Sequence, residues 1–477
     1  MRSDPVDSPP DWQTLQRAID GEVVLPGSPA YGRVHQPFNL RFSDVRPLAV
    51  VRCASPDDVA ATIAFLARHD LESVSRSGGH CFAGHSSTRG VVVDVSPMAS
   101  VTVADGVATV GAGARLGGVY DALEGHGVTI PAGTCPPVGI AGLALGGGLG
   151  ILGRAYGLTS DHLVGAQIVL ADGRIVECDE SHYDDLFWAL RGAGAGNFGV
   201  VTSFNLSTVP APDVTNVHVS WSFSEAVAVI DAWQEWAPLG PDELAASLKV
   251  TASGDLDQPP SVDVYAALLG TEREATELLD ELVRRVGSAP ISTSHKHMSF
   301  PETRRFWAQL GVAEPDGIGD AQPEPTQPLY LLAKSEFFRR PLPRDAIEAL
   351  LATFSSAGAS GVSRELDFMP WGGAYNRKPP DATAFVHRAE LFQLKHAATV
   401  DPPPTSSREA AARAWVTGSW ASVHPWGSGR VFQNFADPEL EDWAEAYYGT
   451  NYHRLVSVKA RYDPGNVFRF RQSLPVG

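Results

Sequence analysis

The chain carries Arg76-Ser77-Gly78-Gly79-His80 and, further on, Gly133-Thr134-Cys135-Pro136-Pro137-Val138-Gly139, two glycine-rich stretches that each present a nucleophilic side chain. Glycine lets the backbone approach a ligand closely and turns successive N–H groups into one concavity, which suits a pyrophosphate. A histidine and a cysteine on such loops are also groups that form covalent bonds with a bound molecule. Together the two stretches suggest a large phosphate-bearing cofactor that is attached covalently.

Length and composition describe a globular protein with more than one core. At 477 residues the chain is longer than one hydrophobic core usually serves, so we expect two domains. Its formal net charge of -18 disfavours nucleic acid as a partner, because no stripe of Lys and Arg is available to displace counterions from phosphates. No apolar run approaches the roughly 20 residues of a membrane span, and the start resembles no secretory leader. We therefore expect a cytoplasmic protein without a membrane partner.

The four cysteines predict neither a disulfide framework nor a metal centre. They are too few for a disulfide scaffold in a chain of this length, and none stands in a C-x-x-C pair. The segment His295-Lys-His297 is by itself more typical of a solvated turn than of a pair of metal ligands. We expect no metal site.

The first half of the chain mixes helices and hairpins without a regular alternation. Ser55-Pro56-Asp57-Asp58 combines a capping serine with a proline at the first helical position, and predicts a helix that ends near Arg68. Asp105-Gly106 and Asp172-Gly173 each lie between alternating apolar residues, the pattern of a β-hairpin. Strands and helices mixed in this way predict an α+β fold.

The pattern changes after Pro210-Ala-Pro212, which we interpret as a linker. A strand is expected at Val217 to Phe223, and the capping box Thr271-Glu-Arg-Glu274 begins a helix further on. Strands and amphipathic helices in this order predict an antiparallel sheet that is covered by helices on one face.

A third glycine motif, Gly148-Leu-Gly150-Ile-Leu-Gly153, formally matches the dinucleotide fingerprint of Rossmann folds. That fingerprint must close a buried strand and open a helix, whereas here a glycine-broken stretch precedes it. Two interpretations of this segment remain: its glycines allow close backbone packing, or they contact a flat buried cofactor. A single histidine or cysteine is also more often a core residue than a functional one. The residues alone therefore lead to a cofactor-binding α+β protein and no further.

The order of several motifs resembles the berberine-bridge-enzyme-like group of FAD-linked oxidases, part of the vanillyl-alcohol oxidase superfamily. After the stretches with His80 and Cys135, the matching segments are Leu145-Gly-Gly-Gly148, Tyr156-Gly-Leu158, Asp161, Asp185-Leu-Phe-Trp188, Gly196-Asn-Phe-Gly-Val-Val-Thr202, Tyr447-Tyr-Gly-Thr-Asn-Tyr452 and the block from Val458 to Ser473. The resemblance covers nearly the whole chain, and the ordered set is far more specific than any one motif.

This resemblance implies a PCMH-type FAD-binding domain in two parts, with a substrate domain between them. The implied divisions are an N-terminal segment 1-39, an FAD-binding part 40-212, a substrate-binding domain 213-430 and a C-terminal part 431-477 that completes the FAD-binding domain. FAD is then attached twice, through His80 at its 8α-methyl group and through Cys135 at C6. The implied cofactor-binding residues are Arg76, Ser77, Gly78, Gly79, His80, Cys135, Val138, Gly139, Gly142, Gly146, Gly148, Asn197, Gly199, Val201, Tyr452 and Asn466.

This chain differs from its relatives at the positions expected to hold the residue that accepts the substrate proton. Many relatives have a tyrosine in a Y-x-N segment where this chain has Phe432-Gln433-Asn434, and phenylalanine accepts no proton. A second position falls in the strand after His387-Arg388, where Lys395 is expected as a base of lowered pKa or as a clamp for an anionic substrate, with a solvated lysine as the alternative. The candidate catalytic set is Lys395, Gln393, Phe432, Asn434 and Tyr452.

The implied function is that of an FAD-dependent oxidase that moves hydride from a hydroxyl group to flavin N5 and reduces dioxygen to hydrogen peroxide. Its substrate is expected to be an oligosaccharide, a glycosylated compound or another secondary metabolite. Val138 stands where a small side chain in relatives leaves dioxygen a path to the flavin. Two alternatives stay open: a dehydrogenase with another acceptor, and a scaffold that binds or cyclises a ligand without redox chemistry. We expect a monomer or a homodimer.

Overall fold

The computed structural model describes residues 10–310, 328–356 and 358–477. The first half of the chain forms two sheets, whose strands are β1 (Glu22–Val24), β2 (Ala49–Arg52), β3 (Ser73–Arg76), β4 (Val91–Asp94), β5 (Val101–Ala104), β6 (Val107–Gly111), β8 (Leu163–Val169), β9 (Ile175–Cys178) and β10 (Val200–Ser207). The four-stranded sheet has the order β1-β2-β4-β3, with β4 parallel to both of its neighbours. The five-stranded sheet is antiparallel and has the order β5-β6-β10-β8-β9.

The local sequence signals of this half are confirmed. Ser55 caps the helix that begins at Pro56, and its hydroxyl accepts the N–H of Asp58. The Asp105-Gly106 turn joins β5 to β6 with both residues at positive φ, as a two-residue hairpin requires. A second hairpin, β8 to β9, contains Gly173 at φ 83°. Local turn and capping chemistry therefore determines these elements.

Helices of the first half pack on the two sheets. They are α1 (Trp12–Ala18), α2 (Tyr31–Val34), α3 (Pro56–Arg68), α4 (Leu116–Glu124), α5 (Ile140–Leu145), α6 (Gly153–Tyr156) and α7 (Asp184–Leu190). Leu15 and Ile19 belong to the same core cluster as the sheet residues, and β1 pairs with β2. Part of the segment 1-39 is thus integral to this half of the molecule. The third glycine motif follows helix α5 and runs into α6, so no strand leads directly into it and the Rossmann interpretation is excluded.

The predicted linker at Pro210-Ala-Pro212 is hydrogen-bonded to the first half of the chain. Val209–Pro210 forms β11, which pairs with β7 (Val128–Thr129) in a two-stranded sheet. The N–H of Ala211 also donates to the carbonyl of Gly127. The chain therefore leaves the first half at a fixed point rather than through a free connection.

The middle of the chain is a seven-stranded antiparallel sheet in the order β15-β12-β14-β13-β17-β18-β16. Its elements are β12 (Val214–Ser222), α8 (Ala226–Trp236), β13 (Leu244–Ala252), β14 (Ser261–Leu268), α9 (Glu272–Val286), β15 (Ser292–Met298), α10 (Phe300–Gln309), β16 (Tyr330–Phe338), α11 (Arg344–Ser356), β17 (Val362–Pro370), β18 (Phe392–Val400) and α12 (Ser406–Val423). Apolar residues of α8, α9, α11 and α12 join one face of the sheet in a single core. The predicted sheet covered by helices is confirmed, and its other face turns to the first half.

The C-terminal part returns to the first half. It contains α13 (Trp443–Tyr448) and α14 (Tyr452–Tyr462), and its apolar residues share the core of the first two sheets. Lys459 is fully buried, and its Nζ donates to Asp463 at 2.6 Å and to the carbonyl of Asn197 at 2.7 Å. Within the part of the chain that the structure describes, no helix is long and apolar enough to cross a membrane.

Candidate active site

A cleft of about 500 Å³ lies between the glycine-rich loops and the open face of the seven-stranded sheet. We call the loops 76–80, 133–139 and 193–201 the cofactor wall. Lys249, Asp367 and Lys395, on β13, β17 and β18, line the opposite side, and we call them the substrate wall together with Glu365, their ion-pair partner on β17, which is not itself part of the lining. Of the residues predicted from the sequence, those that line the cleft are Arg76, Ser77, Gly78, Gly79, His80, Cys135, Val138, Gly139, Gly142, Asn197, Gly199, Val201, Lys395, Phe432 and Asn434.

The first two loops of the cofactor wall touch each other through their backbones. A Cβ atom added at Gly78 would lie 2.3 Å from the backbone nitrogen of Gly139, so neither position accommodates a side chain. The hydroxyl of Ser77 donates to the carbonyl of Ala112 at 2.7 Å, and the guanidinium of the buried Arg76 donates to the carbonyls of Val34, His35 and Ser86. Arg76 therefore braces the loop rather than offering a free charge to a ligand.

The two nucleophiles meet on this wall. His80 Nε2 lies 3.9 Å from Cys135 Sγ, although the residues are far apart in the sequence. Burial lowers the pKa of the His80 imidazole to about 4. The ring is therefore neutral near pH 7 and keeps a nitrogen lone pair, the form in which histidine forms a covalent bond.

The third loop is held by the C-terminal part. The side chain of Asn197 accepts the N–H of Leu474 at 3.0 Å and donates to the carbonyl of Ala193 at 3.2 Å. Tyr448, which the family motif Tyr447–Tyr452 contains but which had been given no role, lines the cleft, and its hydroxyl donates to the same carbonyl of Ala193 at 2.9 Å. The cofactor wall thus depends on both ends of the chain.

The substrate wall is a row of charged residues set by strand register. Lys249, Asp367 and Lys395 are direct neighbours on three adjacent strands and face the same side. Lys395 Nζ lies 3.1 Å from Glu365 Oε1 and 3.0 Å from Asp367 Oδ2, and Lys249 Nζ lies 3.0 Å from Glu365 Oε2. The cluster therefore balances two positive and two negative side chains.

One role expected for Lys395 was that of a base with a lowered pKa, and the structure does not support it. Burial alone would lower the pKa of its ammonium group, but the carboxylates of Glu365 and Asp367 outweigh burial and raise this pKa above the ordinary value. The solvated alternative is also wrong, because the side chain is only 15% exposed and lines the cleft. Lys395 is a fixed cation at neutral pH, and it lies 5.5 Å from the ring centre of Phe435.

Asp367 is the residue that the sequence analysis missed on this wall. It is the only carboxylate among the described residues that line the cleft, it is 6% exposed, and its Oδ1 is buried without a hydrogen-bond partner. Its signal in the sequence is the alternation Glu365-x-Asp367-x-Met369 in a strand, which places the three side chains on one face. That signal becomes specific only when the neighbouring strand brings Lys395 opposite Asp367.

Five predicted residues lie outside the lining of the cleft. Gly146 and Gly148 are needed for packing, because a Cβ atom would lie 2.3 Å from Asn434 Nδ2 at the first position and 2.4 Å from Thr159 Oγ1 at the second. Asn466 follows α14 in the left-handed region at φ 50°, which is a turn role. The remaining two, Gln393 and Tyr452, were also placed in the catalytic set.

Gln393 and Tyr452 are corrected for different reasons. Gln393 is fully buried on the cleft-facing side of β18, and its Nε2 lies 3.5 Å from Ser335 Oγ. Tyr452 begins α14 and packs its ring against Trp443 and Tyr448. Neither side chain reaches the cleft.

The Phe432-Gln433-Asn434 segment supports the cleft without supplying a proton acceptor. Phe432 is 1% exposed and packs in a cluster with Phe337, Trp371 and Phe385. Asn434 Nδ2 donates to the carbonyl of Gly142 at 2.8 Å, and its Oδ1 accepts the N–H of Gly148 at 3.1 Å. Asn434 therefore positions the glycine-rich segment from 142 to 148.

Comparison with known proteins gives the family. The model described as an FAD binding domain matches residues 47–179, and the model described as berberine and berberine like matches residues 431–475. An uncharacterised FAD-linked oxidoreductase of Bacillus subtilis (strain 168), YgaK, is 31% identical over 467 residues, which cover 96% of this chain and 97% of the relative. The chain belongs to the berberine-bridge-enzyme-like family of FAD-linked oxidoreductases. The resemblance drawn from the motifs is thereby confirmed.

Solved structures of the family confirm the α+β fold. Physcomitrella patens BBE-like 1 superposes with a TM-score of 0.87 at 27% identity, covering 98% of this chain and 99% of that chain. A chitooligosaccharide oxidase superposes with a TM-score of 0.85 at 26% identity, with coverage of 98% and 99%. The chain is therefore an oxidoreductase with the PCMH-type architecture.

The residues of the cofactor wall and its surroundings fit FAD. His85 Nε2 and Ser86 Oγ belong to residues that line the cleft, and both atoms are buried without a partner in the protein. Buried polar atoms of this kind require a hydrogen-bond partner, which the polar groups of a dinucleotide supply. The closely packed Gly78 and Gly139 leave the backbone bare for a ligand to approach.

Proposed function

We propose that this protein is an FAD-dependent oxidase with flavin attached through both His80 and Cys135, which oxidises a hydroxyl group of a small molecule and reduces dioxygen to hydrogen peroxide. The observation that carries the proposal is the 3.9 Å approach of His80 Nε2 and Cys135 Sγ in the cleft of a confirmed FAD-linked oxidoreductase. When bound, FAD accepts a hydride and passes its two electrons to dioxygen. The protein residues bind the substrate, orient it and take up its proton.

Asp367 is the proposed acceptor of the hydroxyl proton. It lines the cleft as a carboxylate with one oxygen unpaired by the protein, and general bases must lie within hydrogen-bond reach of the proton that they remove. Lys395, held protonated beside it, stabilises negative charge that develops on the substrate oxygen. Asp367 is thus the proposed base, and Lys395, its ion-pair partner, is the proposed group that stabilises the negative charge.

The substrate is proposed to be an uncharged polyhydroxylated molecule such as a sugar. Because Glu365 and Asp367 neutralise Lys249 and Lys395, the substrate wall offers no surplus positive charge for an anionic substrate. Phe82 and Phe435 stack with their ring centres 5.6 Å apart and supply an apolar surface that suits the C–H face of a sugar ring. The structural relative named a chitooligosaccharide oxidase supports this choice.

Acid precipitation tests the covalent attachment. Flavin colour that stays with the precipitated protein is expected, and peptide mass spectrometry should find flavin on both the His80 and the Cys135 peptides. His80→Ala and Cys135→Ala should each leave one attachment, and the double variant none. Colour released wholly to the supernatant from the wild-type protein would overturn the claim.

Reaction with dioxygen tests the oxidase assignment. The protein is reduced without air and then mixed with aerated buffer, and we expect reoxidation within seconds together with hydrogen peroxide. Val138 lines the cleft three residues after Cys135, and its small side chain is the proposed entry for dioxygen. Reoxidation that takes many minutes and is not accelerated by Val138→Gly would instead favour a dehydrogenase with another acceptor.

A further inference from the structure

The ring of His80 is covered on one face by Phe38. The two ring centres lie 3.6 Å apart with an angle of 17° between the planes, a parallel stack. Phe82 contacts the imidazole less closely, at 6.1 Å and 39°. Phe38 comes from the N-terminal segment, far from His80 in the sequence.

The backbone around Phe38 is fixed from two sides. The N–H of Phe38 donates to the carbonyl of Gly79 at 3.1 Å, and its carbonyl accepts the N–H of Leu329 at 3.1 Å. The next residue, Asn39, is fully buried, and its Nδ2 donates to the carbonyls of Phe82 at 3.1 Å and Leu331 at 3.0 Å. Phe38 is therefore held between the loop of His80 and the start of β16.

We propose that Phe38 is a positioning residue for the covalent bond at His80 and has no corresponding role at Cys135. This inference rests on the proposed function, because it concerns one of the two flavin attachments. A stacked aromatic ring restricts the imidazole to one plane and presents its edge, which carries the nitrogen lone pair, in a fixed direction. It also excludes water from one face and so supports the neutral imidazole.

The attachment of His80 to FAD is an oxidation of the flavin methyl group. A bond forms between an imidazole nitrogen of His80 and the 8α carbon of FAD, while one C–H bond of that methyl group and the imidazole N–H bond break. Two protons leave, and the remaining two electrons reduce the flavin ring. Dioxygen then takes up two electrons and two protons to give hydrogen peroxide. Phe38 contributes no atom to this step and acts only through the orientation and the dry surroundings of the imidazole.

The test follows attachment directly rather than turnover. Apoprotein made without riboflavin is mixed with FAD in air, and mass spectrometry follows the fraction of the His80 peptide and of the Cys135 peptide that carries flavin. In Phe38→Ala we expect attachment at His80 to slow about five-fold, with attachment at Cys135 unchanged. Phe38→Tyr, which keeps the flat ring, should restore the wild-type rate.

Two further variants separate positioning from general damage. Phe42→Ala removes a nearby aromatic ring, in the short helix Leu40–Phe42, that makes no ring contact with His80, and this variant should attach flavin at the wild-type rate. Phe38→Leu keeps apolar volume without the ring plane and replaces Phe38→Ala if thermal melting shows that the alanine variant does not fold. It is expected to slow attachment at His80 as well.

The outcomes distinguish the two proposals. Wild-type protein without flavin on His80 overturns the proposed function and, with it, the role of Phe38. Wild-type protein with both bonds, together with an unchanged rate at His80 in folded Phe38→Ala, overturns the role of Phe38 alone. Equal slowing at His80 and Cys135 also overturns it, because the effect is then structural.

Discussion

The cofactor wall and the substrate wall face each other across one cleft but are built on opposite principles. The cofactor wall consists of bare backbone and two nucleophiles, and its one buried guanidinium, at Arg76, is satisfied by carbonyls of the protein. The substrate wall consists of four charged side chains that neutralise one another across adjacent strands. In the proposed function the first wall holds a covalently attached cofactor, and the carboxylate oxygen that the second wall leaves unpaired receives the substrate.

Asp367→Asn should produce the largest effect on turnover. The amide cannot accept the hydroxyl proton, so we expect flavin reduction by an active substrate to slow about 100-fold to 10,000-fold, the usual contribution of a general base. Anaerobic stopped-flow absorbance measures the rate at saturating substrate. Flavin attachment at His80 and Cys135 should remain complete, since Asp367 lies on the other wall.

Glu365→Gln is the matched control for Asp367→Asn. It removes one carboxylate from the same cluster, but both oxygens of Glu365 already accept from lysines. If the two variants slow reduction equally, Asp367 acts only through the charge balance and is not the base. A much smaller effect of Glu365→Gln is the result that supports the assignment.

Gly139→Ala tests whether the cofactor wall requires the close contact between its first two loops. Its Cβ atom would lie 2.3 Å from the backbone nitrogen of Gly78 and 2.4 Å from Ser77 Oγ, so the loops must separate. We expect a loss of about 1 to 3 kcal/mol in the free energy of unfolding and incomplete flavin loading. Gly118→Ala is the control, because the added Cβ meets nothing within 4 Å and lies in α4. That variant should be as stable as the wild type or slightly more stable.

The difference between the walls also explains what the sequence could predict. His80, Cys135 and the glycines of the cofactor wall lie in short local motifs, so their chemistry is visible in the order of residues. Asp367 becomes significant only through the register that sets it between Lys249 and Lys395, and no local pattern carries that register. The local elements, such as the helix after Ser55 and the Asp105-Gly106 hairpin, were predictable for the same reason as the loops.

The errors at Tyr452 and Gly146 have the same origin. Both belong to motifs typical of the family, but family motifs include residues that pack as well as residues that bind. Gly146 is required because Asn434 approaches its backbone, and Asn434 lies almost three hundred residues later. Only the folded chain shows which residues of a motif face the cleft.

The pH dependence of flavin reduction shows whether Lys395 stays protonated or titrates as a base. Because the neighbouring carboxylates raise the pKa of Lys395, its charge persists from pH 7 to 9, and we expect the rate of flavin reduction to stay flat over that range. A base whose pKa was lowered into that range would give a rate that rises with pH there. The same flat profile should be measured in Lys395→Arg, which keeps the positive charge.

The contribution of the Lys395 ion pairs to the stability of the protein should also depend on pH. A raised folded-state pKa gives stabilisation that is complete below the unfolded value of about 10.4 and is lost as pH rises through the folded value. Lys395→Met should therefore lower the free energy of unfolding by about 3 to 5 kcal/mol at pH 7, with a smaller deficit above about pH 10.5. Denaturant melts of both proteins at pH 7, 9 and 11 measure the deficit, and a deficit that grows with pH contradicts the raised pKa.

The smallest expected effect comes from Tyr452→Phe. Among the described residues the Tyr452 hydroxyl makes no hydrogen bond, whereas the hydroxyl of its stacked neighbour Tyr448 donates to Ala193 on the cofactor wall. We expect Tyr452→Phe to change the free energy of unfolding by less than about 0.5 kcal/mol. Tyr448→Phe should lower it by about 0.5 to 1.5 kcal/mol, because the Ala193 carbonyl loses one hydrogen bond but keeps the donor of Asn197. Flavin reduction should be unchanged in the first variant. A slow Tyr452→Phe protein of normal stability would mean that its hydroxyl reaches the reacting atoms, and the cofactor wall would then extend onto α14.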